Sequence, residues 1–251
     1  MKIAIDAGHG PDTPGKRTPD ESMREYHFNA VVADKICNEL SAYDGLEWIR
    51  TDNSQRDVPL KERTDRANRE QADVLISIHA NAFGKGGWNE AEGIETFVYP
   101  HRSSTEDSFT LAQNVQQQLV QLTGRKNRGV KYGNFHMLRE SRMTAILVEC
   151  GFMTHRQEAE LLKSDAYRQT CAIAIVTGMA ATYGLRHQPD TKERAQLPTL
   201  QRALSVYVNE QEVGTGYLID GLSYVPVRVI ADLIGAKIQY DGQNVRILKG
   251  N

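Results

Sequence analysis

Four side chains that could carry out metal-assisted chemistry stand far apart in the sequence: His9, Glu25, His79 and Glu149. Three of them, the two imidazoles and Glu149, each follow a short apolar run that predicts a strand. In an open α/β sheet, ligands bind at the carboxyl ends of the strands. We therefore expect these three side chains to meet at one edge of a sheet.

Glu25 opens the first long helical pattern in the chain. Phe28 and Val32 follow it three and seven residues later, so its carboxylate lies on the apolar side of that helix. An inward-facing carboxylate is costly unless it is paired or bound to a metal ion. The alternative is that Glu25 is a carboxylate at a helix N-terminus, where it interacts with the helix dipole.

Two imidazoles and one carboxylate form the donor set of a hydrolytic zinc site with an open coordination position. A zinc ion in such a site makes water acidic and polarises the carbonyl under attack. A second carboxylate, which is not a ligand, moves the water proton to the leaving nitrogen. The residues suggest His9, Glu25 and His79 as ligands of one zinc ion, and Glu149 as the catalytic base and acid.

Each candidate also has a structural interpretation. His9 stands in a Gly-rich turn and could be a loop hydrogen-bonder, and His79 could be a satisfied core histidine. Glu149 is the hardest to explain structurally, because a carboxylate that ends an apolar strand needs a partner or a function. No HExxH helix or other compact metal motif occurs in the sequence, so spacing alone leaves both interpretations open.

The elements that must position these residues alternate between strands and helices. Strand patterns cover 2–6, 46–51, 73–78, 93–99, 135–138 and 144–149, and helical patterns cover 24–43, 60–71, 105–122 and 167–183. This alternation predicts an α/β domain in which a mostly parallel twisted sheet is flanked by helices on both faces.

The alternation of strand and helix patterns ends near Gly184, so we expect 1–184 to be the catalytic domain. Residues 185–198 are polar and contain two prolines, a composition typical of a linker. Residues 199–251 carry shorter strand patterns and are predicted to form a small β-rich α+β module. This last segment has five basic and five acidic residues, so its net charge is zero.

Composition disfavours several other classes of protein. The chain has 251 residues, of which 40% are hydrophobic and 25% charged, and a formal net charge of −2, as in an ordinary soluble protein. No strong positive charge is available to hold a nucleic acid, and no apolar run reaches the roughly 20 residues that span a bilayer. Three widely spaced cysteines disfavour a disulfide framework.

Four sequence blocks, in this order, resemble the signature blocks of the zinc N-acetylmuramoyl-L-alanine amidases, the cell-wall amidases of bacterial autolysins and phage endolysins. The blocks are 5–10 (IDAGHG), 24–29 (REYHFN), 72–81 (ADVLISIHAN) and 147–153 (LVECGFM). The resemblance covers about residues 1–183. It implies a zinc ion held by His9, Glu25 and His79, with Glu149 as the catalytic residue. It also implies cleavage of the amide between N-acetylmuramic acid and the L-alanine of the peptidoglycan stem peptide.

Arg63 and Asn81 are candidates for holding the glycan or the stem peptide. Arg63 belongs to the segment 63–68 (RTDRAN), which, like 128–131 (RGVK), also resembles that family. Arg63 could equally be an ion-paired residue on a helix surface.

The C-terminal segments 221–236 and 238–241 are similar to the small β-rich stalk-like module first named from copper amine oxidases. The name does not imply copper, because these segments contain no His, Cys or Met. The resemblance implies anchoring to the cell wall, with dimerisation or stabilisation of the protein as alternatives. The neutral charge of the module argues against simple electrostatic attachment to the wall.

The N-terminal residues lack the apolar run of a secretory signal, so we expect synthesis in the cytoplasm. Action on the wall would then follow release through a membrane hole, as for a phage endolysin, or lysis of a mother cell. Another zinc-dependent wall peptidase and a non-catalytic wall-binding protein are the alternative functions. The sequence does not indicate the oligomeric state.

Overall fold

The computed structural model describes residues 1–53, 56–101, 104–186, 200–208, 211–219, 222–225, 230–231, 233–240 and 245–249. Contacts divide the chain into two units, Met1–Gln188 and Pro189–Asn251, and each is described by itself. Within the described part of the chain, every helix is too short or too polar to span a membrane.

A six-stranded sheet forms the centre of the first unit. Its strands are β1 (Lys2–Ala7), β2 (Glu47–Arg50), β3 (Val74–Asn81), β4 (Ile94–Val98), β5 (Asn127–Tyr132) and β6 (Thr144–Phe152), in the spatial order β2-β1-β3-β6-β4-β5. The neighbouring strands are parallel except β4 and β6, which are antiparallel. The predicted mostly parallel sheet is confirmed.

Helices cover both faces of this sheet unequally. They are α1 (Glu25–Leu40), α2 (Leu60–Arg69), α3 (Thr105–Thr123), α4 (His136–Arg139), α5 (Arg156–Lys163) and α6 (Asp165–Tyr183). Helices α1, α3 and α6 pack on one face and bury the larger apolar core. Helices α2 and α4 pack on the other face, which we call the second face, around Ala67, Met137 and Leu138. At the carboxyl ends of β3 and β6 the second face borders a cavity.

The prediction of a strand at 135–138 is wrong, because His136–Arg139 is the short helix α4. A run of four residues is too short to show a period, and Met137 and Leu138 both enter the core on the second face. The sequence patterns also do not reveal β5 or α5. Strand β5 lies at the edge of the sheet and carries charged side chains, as edge strands commonly do.

The second unit is built from antiparallel strands. Strands β7 (Leu200–Val208), β8 (Gln211–Ile219) and β9 (Leu222–Tyr224) form one sheet, and β10 (Ala236–Tyr240) and β11 (Val245–Lys249) form another. The expected β-rich character of this segment is therefore present. From residue 187 onward, the predicted linker 185–198 lies outside the described residues.

Candidate metal centre

Strands β3 and β6 place His79 and Glu149 side by side. The strands are parallel, with His79 opposite Glu149, and both run past the ends expected from the sequence, to Asn81 and Phe152. Neighbouring strands lie about 4.8 Å apart, and the paired residues here point to the same face of the sheet. Both side chains therefore enter the cavity on the second face.

Glu25 reaches the same cavity from the first turn of α1. Its Oε1 lies 2.9 Å from Nδ1 of His79 and accepts a hydrogen bond of 3.2 Å from the backbone amide of Ala80. Its Oε2 lies 3.0 Å from Nε2 of His9. The side chain is buried, as the position of Glu25 in the helical pattern predicts, and it stands between the two imidazoles.

A loop after β1 presents His9 in an unusual backbone conformation. The φ angle of His9 is 64°, in the left-handed region that residues other than glycine rarely adopt. The amide of Gly8 donates to the carbonyl of Ile78 at 3.0 Å, so the loop continues alongside β3. A Cβ atom on Gly8 would lie 2.1 Å from Cε1 of His79. Glycine is therefore needed for the loop to approach the second imidazole.

Arg63 holds this loop from helix α2. Its guanidinium donates to Oδ1 of Asp6 at 3.0 Å, to the carbonyls of Ala7 at 2.6 Å and Val58 at 2.9 Å, and to the carbonyl of His9. Each guanidinium nitrogen thus donates within the protein, and the side chain is only 2% exposed. Of the two expected roles of Arg63, the structure supports the ion pair rather than the substrate contact. The pair lies in the interior and not on a helix surface.

Asn81 lines the cavity, and its side chain is held by a neighbouring carboxylate. Its Nδ2 donates to Oε1 of Glu95 at 2.6 Å, and the other oxygen of Glu95 accepts from Arg128 at 2.7 Å and from Lys131 at 2.5 Å. Sequence reasoning missed Glu95, which lies directly across from Glu149 on the paired strand. The available signal was an acidic residue inside an apolar strand pattern.

The two carboxylates at the centre of the cavity have opposite environments. Burial raises the pKa of Glu149 well above its usual range, although the nearby His79 opposes this shift. Burial acts in the same direction on Glu25, but hydrogen bonds from His79 and His9 outweigh it and lower the pKa of Glu25. Carboxylates whose pKa values are driven apart in this way take different acid–base roles. Glu25 is suited to stay ionised, and Glu149 to accept and release a proton.

The chemistry of the donor set fits a divalent metal ion. His9, Glu25 and His79 each offer one ligand atom, and these three atoms lie within 4.8 Å of one another. Two imidazoles, one carboxylate and an open position are typical of catalytic zinc. Beside them, Oε2 of Glu149 is buried and has no hydrogen-bond partner among the described residues. A group of this kind is what metal-assisted hydrolysis requires for its proton transfers.

The cavity that contains these groups has a volume of about 390 Å³. Part of its lining is apolar and includes Leu60, Phe97, Phe135 and Leu147. Phe97 and Phe135 meet edge to face, with 5.0 Å between ring centroids. The cavity therefore combines a polar reactive centre with a hydrophobic surface, the usual composition of a site for an organic substrate.

An open α/β sheet that gathers two imidazoles and two carboxylates at its carboxyl edge is a framework that can carry metal-assisted hydrolysis. A family model described as N-acetylmuramoyl-L-alanine amidase matches residues 3–181. The chain belongs to the N-acetylmuramoyl-L-alanine amidase family, and the expected family and enzyme class are confirmed.

Named relatives and solved structures agree with this membership. The chain is 32% identical over 186 residues to N-acetylmuramoyl-L-alanine amidase CwlM of Bacillus licheniformis, covering 74% of this chain and 70% of the relative. It is 30% identical over 187 residues to the sporulation-specific N-acetylmuramoyl-L-alanine amidase of Bacillus subtilis, covering 74% and 69%. The crystal structure of an N-acetylmuramoyl-L-alanine amidase from Clostridium difficile 630 matches with a TM-score of 0.69 at 34% identity, covering 73% of this chain and 97% of that one.

Proposed function

We propose that this chain is a zinc-dependent peptidoglycan hydrolase that cleaves the amide between the lactyl group of N-acetylmuramic acid and the L-alanine of the stem peptide. One zinc ion would be held by His9, Glu25 and His79. The observation that carries the proposal is Oε2 of Glu149, which is buried, has no hydrogen-bond partner in the described part of the chain and stands beside a three-residue metal donor set. The names of the relatives support the choice of bond.

The bound zinc would polarise the scissile carbonyl and make a water molecule acidic. Oε2 of Glu149 accepts a proton from the attacking water as the new C–O bond forms. The same proton passes to the amide nitrogen as the C–N bond breaks, so the peptide leaves with a free alanine amine and the glycan keeps a lactyl carboxylic acid, which then releases the second water proton to become a carboxylate. Burial, which raises the pKa of Glu149, makes its carboxylate a stronger base toward the attacking water, and the positive charge of a bound zinc ion would keep that carboxylate ionised before the first transfer.

Neighbouring side chains orient the donor set. Nδ2 of Asn29 donates to the carbonyl of Gly8 at 3.0 Å and to Oε1 of Glu25 at 3.3 Å, so one amide links the His9 loop to the ligand on α1. Arg63 fixes the other side of that loop through the carbonyl of His9. Contacts of this kind orient metal ligands, and their loss typically weakens metal binding 10- to 100-fold.

We also propose that 1–184 is the catalytic domain and that 199–251 is a module, similar to the stalk-like module of copper amine oxidases, that binds the cell wall. Tethering an enzyme to an insoluble polymer raises its effective concentration there. Sedimentation with purified walls tests this, comparing the full chain with a chain that ends at residue 186. Equal sedimentation of the two would contradict the wall-binding role.

The function itself is tested by mass spectrometry of what the full chain releases from isolated peptidoglycan sacculi. We expect stem peptides with a free alanine amine, and we expect their release to stop when a zinc chelator is added and to return with zinc. Glu149→Gln, with zinc retained, is the matched inactive control. Chelator-sensitive release of fragments cut at another bond would instead indicate a zinc-dependent wall peptidase. The absence of release from walls of several types would favour a binding protein.

A further inference from the structure

A second cavity, with a volume of about 300 Å³, adjoins the metal cavity. It is lined by residues of two loops, 15–21 and 82–86, and by Met153 and Thr154. Lys16 and Ala82 line both cavities, so the two adjoin, and we call them together the groove. A polymeric substrate extends beyond its scissile bond, and this groove offers a path for the part that lies next to it.

The wall that carries Lys16 is tied to the ligand helix. The carbonyl of Lys16 accepts a hydrogen bond of 2.8 Å from the amide of Glu25, and the amide of Thr18 donates to the carbonyl of Met23 at 2.9 Å. The loop therefore returns along the start of α1 in a hydrogen-bonded turn. The position of Lys16 is set by the same helix that places Glu25.

The opposite wall presents an exposed aromatic ring. Phe83 is 62% exposed, yet its amide donates to Oγ1 of Thr154 at 3.1 Å and its carbonyl accepts from Nδ2 of Asn89 at 2.8 Å. The amide of Asn89 in turn donates to the carbonyl of Thr154 at 2.9 Å. A large apolar side chain held in the open by a hydrogen-bonded loop offers contact area to a ligand.

The charges of the second cavity favour an anion. Among the residues that the structure describes, no carboxylate lies within ion-pairing distance of the Lys16 ammonium, whereas Arg17 pairs with Glu21 at 3.2 Å. In the lining of the second cavity, the exposed Lys16 is thus a positive charge that no described carboxylate pairs with. A third cavity also shares residues with the metal cavity, but its lining carries more negative than positive charge. It contains the carboxylates of Asp6 and Asp57 and one guanidinium, that of Arg63. An acidic part of the substrate would therefore enter the second cavity.

We infer that the second cavity binds the stem peptide beyond its L-alanine, and that the Lys16 ammonium contacts the carboxylate of the acidic residue that follows. This inference rests on the proposed function. Amidation would turn that carboxylate into a carboxamide, which cannot form an ion pair. Lys16 would then make the enzyme prefer stem peptides in which this carboxylate is free.

Two synthetic disaccharide-peptide substrates test the inference, one with a free carboxylate and one with a carboxamide at the residue after L-alanine. We expect the full, zinc-loaded chain to prefer the carboxylate about fivefold in kcat/KM, the size of a partly exposed ion pair. The effect should lie mainly in KM, because the contact is present in the ground state and in the transition state alike. Salt should weaken the preference.

Variants assign the preference to one side chain. Lys16→Met should process both substrates at the rate of the amidated one, and Lys16→Arg should keep the preference for the carboxylate. Lys61→Met is the matched control: Lys61 is an exposed lysine of α2 that pairs with Asp65 at 2.6 Å and lines neither cavity of the groove. This control should keep the full preference.

The outcomes separate the inference from the function on which it rests. Equal kcat/KM on the two substrates, or a preference that survives Lys16→Met, would overturn the role of Lys16 and leave the amidase proposal intact. Release of no alanine amine from either substrate would contradict the proposed function instead.

Discussion

Replacing Arg63 by methionine should lower the free energy of unfolding of the first unit by about 3–5 kcal/mol. Arg63 and Asp6 are 2% and 1% exposed, and their closest N–O distance is 3.0 Å. Removing one member of a buried ion pair leaves the other charge uncompensated, which costs roughly 3–5 kcal/mol. Because folded domains are stable by only about 5–15 kcal/mol, this loss is a large share of the total.

The loss of stability should depend on pH, because the pKa of Asp6 differs between the parent chain and the Arg63→Met variant. Burial acts to raise the pKa of Asp6, but Arg63 and hydrogen bonds from Ser77 and Thr51 hold it below the ordinary value of 3.8. In the parent chain, Asp6 therefore contributes stability above pH ~4 that is lost as the pH falls through its folded pKa. Without Arg63, burial raises the pKa of Asp6, and the variant takes up a proton on folding. The stability difference should then shrink as the pH falls from neutral.

Urea unfolding followed by tryptophan fluorescence measures the effect, because Trp48 and Trp88 both lie in the first unit. With a slope of about 2 kcal/mol per molar urea, the midpoint should fall by about 2 M. A chelator in all samples keeps metal binding from adding to the measured stability. Arg66→Met, an exposed arginine on the same helix, is the matched control and should change the midpoint little.

A double variant checks the assignment to the ion pair. Asp6→Asn combined with Arg63→Met should recover part of the lost stability, because it removes the buried charge that the single variant leaves. The urea midpoint of Arg63→Lys should lie between those of the parent and Arg63→Met, since lysine keeps the positive charge but lacks the planar guanidinium with its several donors. A midpoint shift below about 0.5 M for Arg63→Met, or an equal loss at neutral and acidic pH, would refute the reasoning.

Three further predictions concern the metal centre. Glu149→Gln should lower kcat by about two to four orders of magnitude while elemental analysis still finds one zinc ion per chain, and full activity would contradict its role as base. His79→Ala should abolish stoichiometric zinc, and its retention in dialysed protein would show that the ligand set is wrong. Gly8→Ala should weaken zinc binding, because its Cβ would lie 2.1 Å from the His79 ring. Gly87→Ala, with no atom within 4 Å of the new Cβ, should bind zinc as the parent does.

The elements that the sequence predicts well are those whose pattern is local. Strands β3 and β6 are recognisable because apolar residues continue along both faces, which is typical of strands buried in a parallel sheet. Strand β5 escapes prediction because its charged residues suit an edge position, and an edge is defined only by the rest of the sheet. Helix α4 escapes because four residues do not reveal a period.

By itself, the sequence determined which side chains could do chemistry here. An imidazole or carboxylate that follows an apolar run needs either a hydrogen-bonding partner or a function, and this argument selected His9, His79 and Glu149. The position of Glu25 on the apolar side of its helix selected that residue. Only the tertiary structure decided what surrounds them. Arg63 binds Asp6 across 57 positions of sequence, and Glu95 faces Glu149 because β4 pairs with β6. Such partners are set by strand register and packing between distant elements, and neither leaves a local periodic signal.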